Sequence, residues 1–177
     1  MPDDPKPCPN PRPSGYELLG GELVEVASPT EYHQRISGNL ELILRQFVQE
    51  KELGRVYHAP LDVVLREGDE REVVQPDIFF ISKEREKIIA EEEIRGAPDL
   101  VIEVTAPATE DRDRHYKKTL YARHGVKEYW IVDPEARKVE VFALGEKGFG
   151  LVKAYEAGEA LKSPLLEGLE VDLNEVF

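Results

Sequence analysis

Two acidic residues stand in stretches that are otherwise apolar. Glu103 lies in the run LVIEV, and Asp77 lies in the run VVQPDIFF. A buried, ionised carboxylate is costly unless it is paired or binds a metal ion. On neighbouring strands the two acids would repel each other unless a cation lay between them. Mg²⁺ suits such a pair, because it takes one or two carboxylates and keeps several waters. A salt bridge from Glu103 to an arginine is the structural alternative.

A helix rich in basic residues follows Glu103, in the sequence DRDRHYKKTLYARHG. Its spacing of four residues places Asp113, Lys117 and Tyr121 on one face, with Lys118 about 100° away. A lysine that reaches the two carboxylates could orient a water molecule and stabilise developing negative charge. Lys117 and its neighbour Lys118 are therefore the candidates, and a solvated surface lysine is the ordinary alternative.

Two further polar residues precede the carboxylate strands. His33 falls in the first turn of a predicted helix, where it could contact a phosphate or a water of the site, helped by the helix N-terminus. Its structural alternative is a partly buried polar residue near the sheet edge. Glu22 lies on a predicted hairpin and is a candidate third carboxylate. The other histidines show no metal-ligand spacing among themselves: His58, His115 and His124.

A hairpin and a helix are predicted before these strands. Residues 16–26 alternate around Gly20 and Gly21, a pattern typical of a hairpin. Residues 28–31 match a capping box with Pro29 at the first helical position, and Gly54 follows the expected helix end. The apolar residues of this helix repeat with helical period: Ile36, Leu40, Ile43, Leu44, Phe47 and Val48.

The remaining elements predict an α/β fold. Residues 99–105 form an almost wholly apolar run, which indicates a central strand buried on both faces. A helix over 111–124 separates this strand from the strand over 127–133, so the two strands should be parallel in a right-handed crossover. Trp130 is expected in the core rather than as a base-stacking residue. The earlier strand-like runs are 55–58, 61–65 and 73–81, and the C-terminal hairpin comprises 139–144 and 150–155.

The composition limits the partners that the chain can have. The net charge of −13 opposes nucleic-acid binding, which depends mainly on phosphate neutralisation. A local basic cluster, which could equally be solvated helix positions, consists of Arg112, Arg114, His115, Lys117, Lys118 and Arg123. A single cysteine excludes an internal disulfide. No apolar run approaches the ~20 residues that span a bilayer, so we expect a soluble, cytoplasmic protein with no membrane partner.

The N-terminal residues differ from the rest of the chain. Six prolines occur among the first thirteen residues. Such a segment favours an extended, solvated chain, so we expect a flexible arm over residues 1–14 and one domain over 15–177. Few Asn, Gln, Cys and Met residues stand beside many Glu, Lys and Arg, which is typical of a thermophile's protein.

Three stretches, YELLGGELVEVASPT, GAPDLVIEVTAPAT and DRHYKKTLYARHGVKEYWIVDP, resemble the Uma-type restriction-endonuclease-like family of the PD-(D/E)xK superfamily. The resemblance spans residues 16–144. It implies a restriction-endonuclease-like core, a mixed β-sheet flanked by helices in the order αβββαβ, with extra hairpins at both ends. It also implies a metal-dependent nuclease in which Asp77 and Glu103 bind Mg²⁺ or Mn²⁺. Thr105 occupies the position where the superfamily name requires lysine, and the family's helical lysine corresponds to Lys117.

Taken together, these features predict an endonuclease that hydrolyses phosphodiester bonds, with DNA as the expected nucleic-acid partner. Asp77, Glu103 and the Val104 carbonyl would bind the metal, and Lys117 and His33 would complete the site. The alternative is a catalytically silent protein that keeps the nuclease fold and serves a binding partner. A two-fold homodimer is expected, because cutting both DNA strands gains from two sites and the edge-like strand at Pro76 leaves a surface to cover.

Overall fold

The structure is a computed structural model, and it describes residues 15–66 and 71–177. The arm predicted over residues 1–14 lies outside these ranges, and the division into an arm and one domain stays a prediction. Within the described ranges, no helix is both long and apolar enough to cross a membrane.

The strands and helices are short apart from one long helix near the N-terminus. The strands are β1 (Tyr16–Leu19), β2 (Glu22–Glu25), β3 (Gly54–His58), β4 (Val63–Arg66), β5 (Glu72–Val74), β6 (Ile78–Ser82), β7 (Ile94–Arg95), β8 (Leu100–Val104), β9 (Glu128–Asp133), β10 (Lys138–Gly145), β11 (Gly148–Glu156), β12 (Ala160–Lys162) and β13 (Glu170–Asp172). The helices are α1 (Glu31–Glu50), a 3₁₀ helix (Lys83–Ile88), a π-helix (Arg112–Lys117) and α2 (Lys118–Arg123), which continues the π-helix.

The main sheet has six strands in the order β11-β10-β9-β8-β6-β3. Its central strand β8 runs antiparallel to β6 and parallel to β9, as predicted for strands that bracket a helix. The predicted order αβββαβ is confirmed as α1, β3, β6, β8, α2 and β9. The hairpins at the two ends of the fold are also confirmed, as β1–β2 and β10–β11.

A second sheet of five strands, in the order β2-β1-β5-β4-β7, was not expected. The prediction of one strand over 73–81 is wrong, because β5 and β6 belong to different sheets. The strand pairing is interrupted between β5 and β6. The Gln75 N–H donates to the side-chain oxygen Glu17 Oε1 at 2.9 Å instead of to a carbonyl of a neighbouring strand, and Pro76 has no N–H to donate. Neither β5 nor β6 is an edge strand, so Pro76 marks an irregular segment that delivers Asp77 to the start of β6.

Helix α1 begins two residues later than predicted. Thr30 is its N-cap, and the Thr30 hydroxyl oxygen accepts a hydrogen bond from the His33 N–H at 3.1 Å. Pro29 therefore precedes the helix. At the other end, Gly54 is not a helix cap but the first residue of β3. A Cβ at Gly54 would lie 2.1 Å from the Ile81 carbonyl oxygen, so the close pairing of β3 and β6 requires glycine there.

The main sheet is covered on both faces, so all five residues of β8 are buried. Helix α1 and the C-terminal segment pack on one face, where they enclose Trp130 in the hydrophobic core. Trp130 is fully buried, and its indole N–H donates to Glu128 Oε1 at 2.6 Å, which confirms it as a core residue. Helix α2 packs on the opposite face, against the side of β8 that carries Val101 and Glu103.

Candidate active site

Asp77 and Glu103 come together because β6 and β8 are antiparallel neighbours. Ile78 lies opposite Ile102, so Asp77, one residue before β6, stands beside the C-terminal end of β8. Asp77 Oδ2 accepts a hydrogen bond from the Val104 N–H at 2.8 Å. This bond fixes the Asp77 carboxylate against the strand that carries Glu103.

Glu103 is almost completely buried, with 3% of its surface exposed. Its Oε1 atom accepts hydrogen bonds from Lys117 Nζ at 3.0 Å and from the Tyr121 hydroxyl at 2.6 Å. Burial raises the pKa of the Glu103 carboxyl to about 8, because the Lys117 charge only partly offsets the lost hydration and neighbouring carboxylates add repulsion. Glu103 is therefore a carboxylate whose ionisation the protein alone does not favour.

Lys117 lies at the centre of an acidic cluster. Its ammonium is 2.9 Å from Glu17 Oε1, 3.0 Å from Glu103 Oε1 and 3.7 Å from Asp113 Oδ1. Burial alone would lower the pKa of Lys117, but the three carboxylates outweigh it and raise the pKa above its ordinary value. Lys118, the alternative candidate, instead places its ammonium 3.9 Å from the centre of the Phe142 ring.

The helix backbone helps to place Lys117. Residues 112–117 form a π-helix, and such turns are frequent at functional sites. Lys117 and Tyr121 donate hydrogen bonds to Glu103, and Asp113 Oδ1 lies 3.7 Å from the Lys117 ammonium, so the three residues share one face as their spacing of four predicts. The π-helix itself was not foreseen, since the sequence predicts only a helix.

His33 joins the cluster from the first turn of α1. Its Nε2 atom lies 2.9 Å from the Val104 carbonyl oxygen and 3.3 Å from Asp77 Oδ2. Burial would lower the pKa of His33, but the hydrogen bond and charge of Asp77 and the bond to the Val104 carbonyl outweigh it, and the pKa is raised. The other ring nitrogen, Nδ1, is buried without a hydrogen-bond partner among the described residues.

Two acidic residues of the cluster were not named as site residues from the sequence. Glu17 on β1 is 2% exposed and Asp113 on the π-helix is 3% exposed. Glu22, the sequence candidate for a third carboxylate, is exposed on β2, whereas Glu17 on the adjoining strand reaches Lys117. The signal that could have found Glu17 is the one that found Glu103, an acid within an apolar run, here YELL.

The cluster holds more negative than positive charge. Its four carboxylates are Asp77, Glu103, Asp113 and Glu17, and its buried cation is Lys117, with His33 beside it. The pKa of Asp113 is raised too, first by burial and then by the charges of its acidic neighbours, against the effect of Lys117. A divalent cation would offset this excess of negative charge.

The oxygen donors at Asp77 and Glu103 are of the chemical type that Mg²⁺ takes when it keeps several waters. Among the described residues, no group of three or more His, Cys, Asp or Glu side chains is arranged to hold a metal ion. Two carboxylates and a backbone carbonyl remain, at Asp77, Glu103 and Val104, and such a sparse oxygen set is typical of Mg²⁺ rather than of Zn²⁺. The hydrogen bonds described above use Asp77 Oδ2 and Glu103 Oε1, so they do not involve Oδ1 or Oε2.

The basic cluster predicted on the helix is largely matched by acids of the protein itself. Arg114 pairs with Glu110, Glu140 and Asp133. Its pKa is raised because the hydrogen bonds and charges of Glu140 and Glu110 outweigh its desolvation. His115 lies 3.7 Å from Asp111 on the exposed side of the helix. This helix therefore offers less free positive charge than its sequence suggests.

Comparison with known proteins adds three findings. The family model Uma2, described as "Putative restriction endonuclease", matches residues 5–174. A crystal structure described as a "putative nuclease belonging to DUF820" from Anabaena variabilis ATCC 29413 matches with a TM-score of 0.75 and 19% sequence identity, over 97% of this chain and 92% of that chain. At this identity the match shows a shared fold. Among curated proteins, no sequence matches the chain.

Proposed function

The chain belongs to the Uma2 family, described as "Putative restriction endonuclease", and on that premise we propose that it is a metal-dependent endonuclease acting on DNA. One observation carries the proposal. Two carboxylates, Asp77 and Glu103, meet at adjoining strand ends with the Lys117 ammonium 3.0 Å from Glu103. Carboxylates that can hold a divalent cation, with a lysine ammonium beside them, are groups that can promote phosphodiester hydrolysis.

Asp77, Glu103 and the Val104 carbonyl would hold the metal, for which we propose Mg²⁺, with Mn²⁺ as the natural substitute. When bound, such an ion would neutralise charge on the phosphate and lower the pKa of a water nucleophile. The protein's own contribution is to keep the two carboxylates fixed. Asp77 is held by the Val104 N–H, and Glu103 by Lys117 and Tyr121.

Lys117 supplies the positive charge of the site. Because its pKa is raised, its ammonium stays protonated at neutral pH. In the proposed reaction it orients the attacking water and offsets the negative charge that develops on the phosphate oxygens. His33 keeps Asp77 and the Val104 carbonyl together through Nε2, and its position at the start of α1 allows contact with a phosphate.

A cleavage assay tests this function. Plasmid DNA, single-stranded DNA and RNA are incubated with Mg²⁺ or Mn²⁺, and with EDTA as the metal-free arm. We expect nicking of plasmid DNA that EDTA stops and that Asp77→Asn, Glu103→Gln and Lys117→Met abolish. Asp99→Asn is the matched control, since it removes a buried carboxylate at the other end of β8. Cleavage that survives EDTA or persists in Glu103→Gln would contradict the proposal.

The second candidate is a catalytically silent binding protein with the nuclease fold. The net charge of −13 and the internally paired basic helix favour it, because both weaken the attraction to nucleic acid. It predicts that no nucleic acid is cut with either metal, although Mg²⁺ still raises the melting temperature through the carboxylates. The cleavage assay separates the two candidates, because both predict the same response to Mg²⁺ in a thermal melt.

We also propose a two-fold homodimer. The edge strand β11 of the main sheet exposes Leu151 and Val152, with 55% and 49% of their surface accessible, and an uncovered edge of this kind invites pairing. Two copies would supply one site for each DNA strand. Light scattering at micromolar concentration should give twice the 20.1 kDa chain mass, and a value of 20.1 kDa would rule the dimer out.

A further inference from the structure

Glu17 belongs to the second sheet but reaches into the candidate site of the main sheet. It lies on β1 and is 2% exposed. Its Oε1 atom accepts hydrogen bonds from the Gln75 N–H at 2.9 Å and lies 2.9 Å from Lys117 Nζ. The guanidinium of Arg112 is 3.8 Å from the other oxygen, Oε2. Both oxygens of Glu17 thus face groups on other elements.

Lys117 reaches Glu103 from a helix rather than from the strand that carries Glu103. The position two residues after Glu103, on the same strand, is Thr105, whose hydroxyl donates to the Val132 carbonyl at 3.2 Å. A lysine there would be held by the strand itself. Lys117 instead extends from a helix through a flexible chain of four carbons, so other groups must fix its ammonium.

The ammonium of Lys117 has three N–H donors, and three carboxylates surround it. Glu103 is a proposed metal ligand, and Asp113 lies at the longer distance of 3.7 Å on the same helix as Lys117. Glu17 is at 2.9 Å and its accepting oxygen is itself fixed by the Gln75 N–H. Of the three carboxylates, Glu17 is the one that combines a short contact with a backbone anchor outside the helix.

We propose that Glu17 is a positioning residue that holds the Lys117 ammonium against Glu103 and so makes the N-terminal hairpin part of the active site. This inference rests on the proposed nuclease function. The bond to Gln75 gives Glu17 a second effect, because Gln75 opens the irregular segment that delivers Asp77. The Glu17 carboxylate therefore positions the Lys117 ammonium, and it also fixes the backbone at Gln75 that leads to Asp77, the second proposed metal ligand.

Glu72 offers a matched control on the neighbouring strand β5. It is also buried, at 8% exposure, and it also accepts one backbone and one side-chain hydrogen bond, from the Gly20 N–H at 3.1 Å and the Tyr116 hydroxyl at 2.9 Å. Tyr116 precedes Lys117 on the helix. Glu72→Gln therefore perturbs the same hairpin and the same helix while leaving the contacts of Lys117 in place.

The first measurement is steady-state cleavage of a DNA oligonucleotide by Glu17→Ala, Glu17→Gln and Glu72→Gln. Misplacing a catalytic group by about 1 Å can cost on the order of 10²-fold in rate. We expect Glu17→Ala to lower kcat by about that factor with KM nearly unchanged. Glu17→Gln keeps an acceptor and should recover part of the loss, and Glu72→Gln should retain the wild-type kcat. Equal losses in Glu17→Ala and Glu72→Gln would overturn the proposal.

The second measurement does not depend on cleavage. A lysine-ammonium ¹H–¹⁵N correlation spectrum of the whole protein should show one slowly exchanging signal that disappears in Lys117→Met. We expect this signal to broaden or exchange faster in Glu17→Gln and to stay unchanged in Glu72→Gln. Glu17→Asp, which keeps the charge on a shorter side chain, replaces Glu17→Gln if that variant does not fold. Its Lys117 signal should exchange faster than that of the wild type but remain detectable.

The two measurements separate the two ideas. An ordered Lys117 signal that depends on Glu17, in a protein that cuts no nucleic acid, would leave the positioning role standing and refute the nuclease function. Robust cleavage with the same kcat in wild type and Glu17→Ala would refute the positioning role and leave the nuclease function standing. A Lys117 signal that exchanges rapidly in the wild type would also refute the positioning role.

Discussion

A buried carboxylate stands at each end of the central strand β8, Asp99 just before it and Glu103 near its end, and the two have opposite electrostatic surroundings. Asp99, just before β8, is fully buried and receives hydrogen bonds from the Ser82 N–H at 2.8 Å and from Arg85 at 3.4 Å. The Lys127 ammonium lies 2.8 Å away. Arg85 and Lys127 therefore both pair with the Asp99 carboxylate. At the other end, Glu103 shares one buried lysine with two further acids.

The ionisation of the two groups reflects this difference. Burial by itself would raise the pKa of Asp99, but the bonds from Lys127 and Ser82 and the charge of Arg85 outweigh it and hold the pKa below its ordinary value. Burial raises the pKa of Glu103 to about 8, because the charge of Lys117 does not offset the lost hydration and the repulsion from the neighbouring carboxylates. Asp99 has the surroundings of a structural ion pair, whereas Glu103 lies among an excess of acids, as the proposed metal-binding role would require.

The largest effect should come from Lys117→Met, which removes the buried cation from the unbalanced end. Leaving buried charge without its partner costs about 3–5 kcal/mol, so the free energy of unfolding in EDTA should fall by about that amount. Urea denaturation measures it. Lys118→Met is the control and should cost less than about 1 kcal/mol, because its ammonium only lies over the Phe142 ring. Equal stability of wild type and Lys117→Met would mean that the neighbouring acids are not ionised.

Asp99→Asn should give the next largest effect, at the balanced end. Asparagine still accepts the Ser82 N–H, but it loses the charge that pairs with Arg85 and Lys127. Hydrogen bonds to charged groups contribute about 1.5–3 kcal/mol, and both cations are partly exposed, so we expect a loss of about 1–3 kcal/mol by urea denaturation. Asp111→Asn, at a carboxylate with 99% exposure, is the control and should have no measurable effect.

Glu103→Gln should have a smaller effect of the opposite sign. It removes a carboxyl whose ionised form is disfavoured by burial and by its acidic neighbours, while Lys117 keeps Glu17 and Asp113 as partners. In EDTA the variant should be as stable as the wild type or more stable by about 1 kcal/mol. Thermal melts with Mg²⁺ and with EDTA then compare the metal response. We expect Mg²⁺ to raise the melting temperature of the wild type but not of Glu103→Gln, since a ligand stabilises only the state that binds it.

Asp77→Asn extends the same comparison to the second proposed ligand. It should keep the bond from the Val104 N–H and lose the response to Mg²⁺. Strong destabilisation by Glu103→Gln, together with a wild type that does not respond to Mg²⁺, would show that Glu103 is a structural residue like Asp99.

The sequence predicted the positions of the residues around Glu103 well. Glu103 and Asp77 stand out because an acid in an apolar run is a local signal. Lys117 follows from the spacing of four that it shares with Asp113 and Tyr121. In the structure Lys117 and Tyr121 contact Glu103, and Asp113 contacts Lys117. Local patterns were sufficient for these positions.

The sequence did not reveal the second sheet or the part that Glu17 has in it. The segment 73–81 looks like one continuous strand, and the bond that breaks it comes from Glu17, which is 58 residues earlier in the chain. Periodicity reports on a residue's own strand and not on such distant contacts. The same limit hid the π-helix, whose extra residue per turn leaves no mark on the apolar pattern.

The smallest expected effect is in how the free energy of unfolding changes at acidic pH, where Asp99 titrates. Asp99 has a folded pKa below its ordinary value of 3.8, so the unfolded chain binds a proton more readily than the folded protein does. Its contribution to stability is therefore present above about pH 4 and is lost as the pH falls through the folded pKa. From about pH 5 to about pH 2, the free energy of unfolding should decrease more steeply in the wild type than in Asp99→Asn, because the amide cannot titrate. Urea denaturation of both proteins across this range measures the difference. Parallel curves would show that the cations around Asp99 do not hold it ionised, and the contrast between the two ends of β8 would then lose its electrostatic basis.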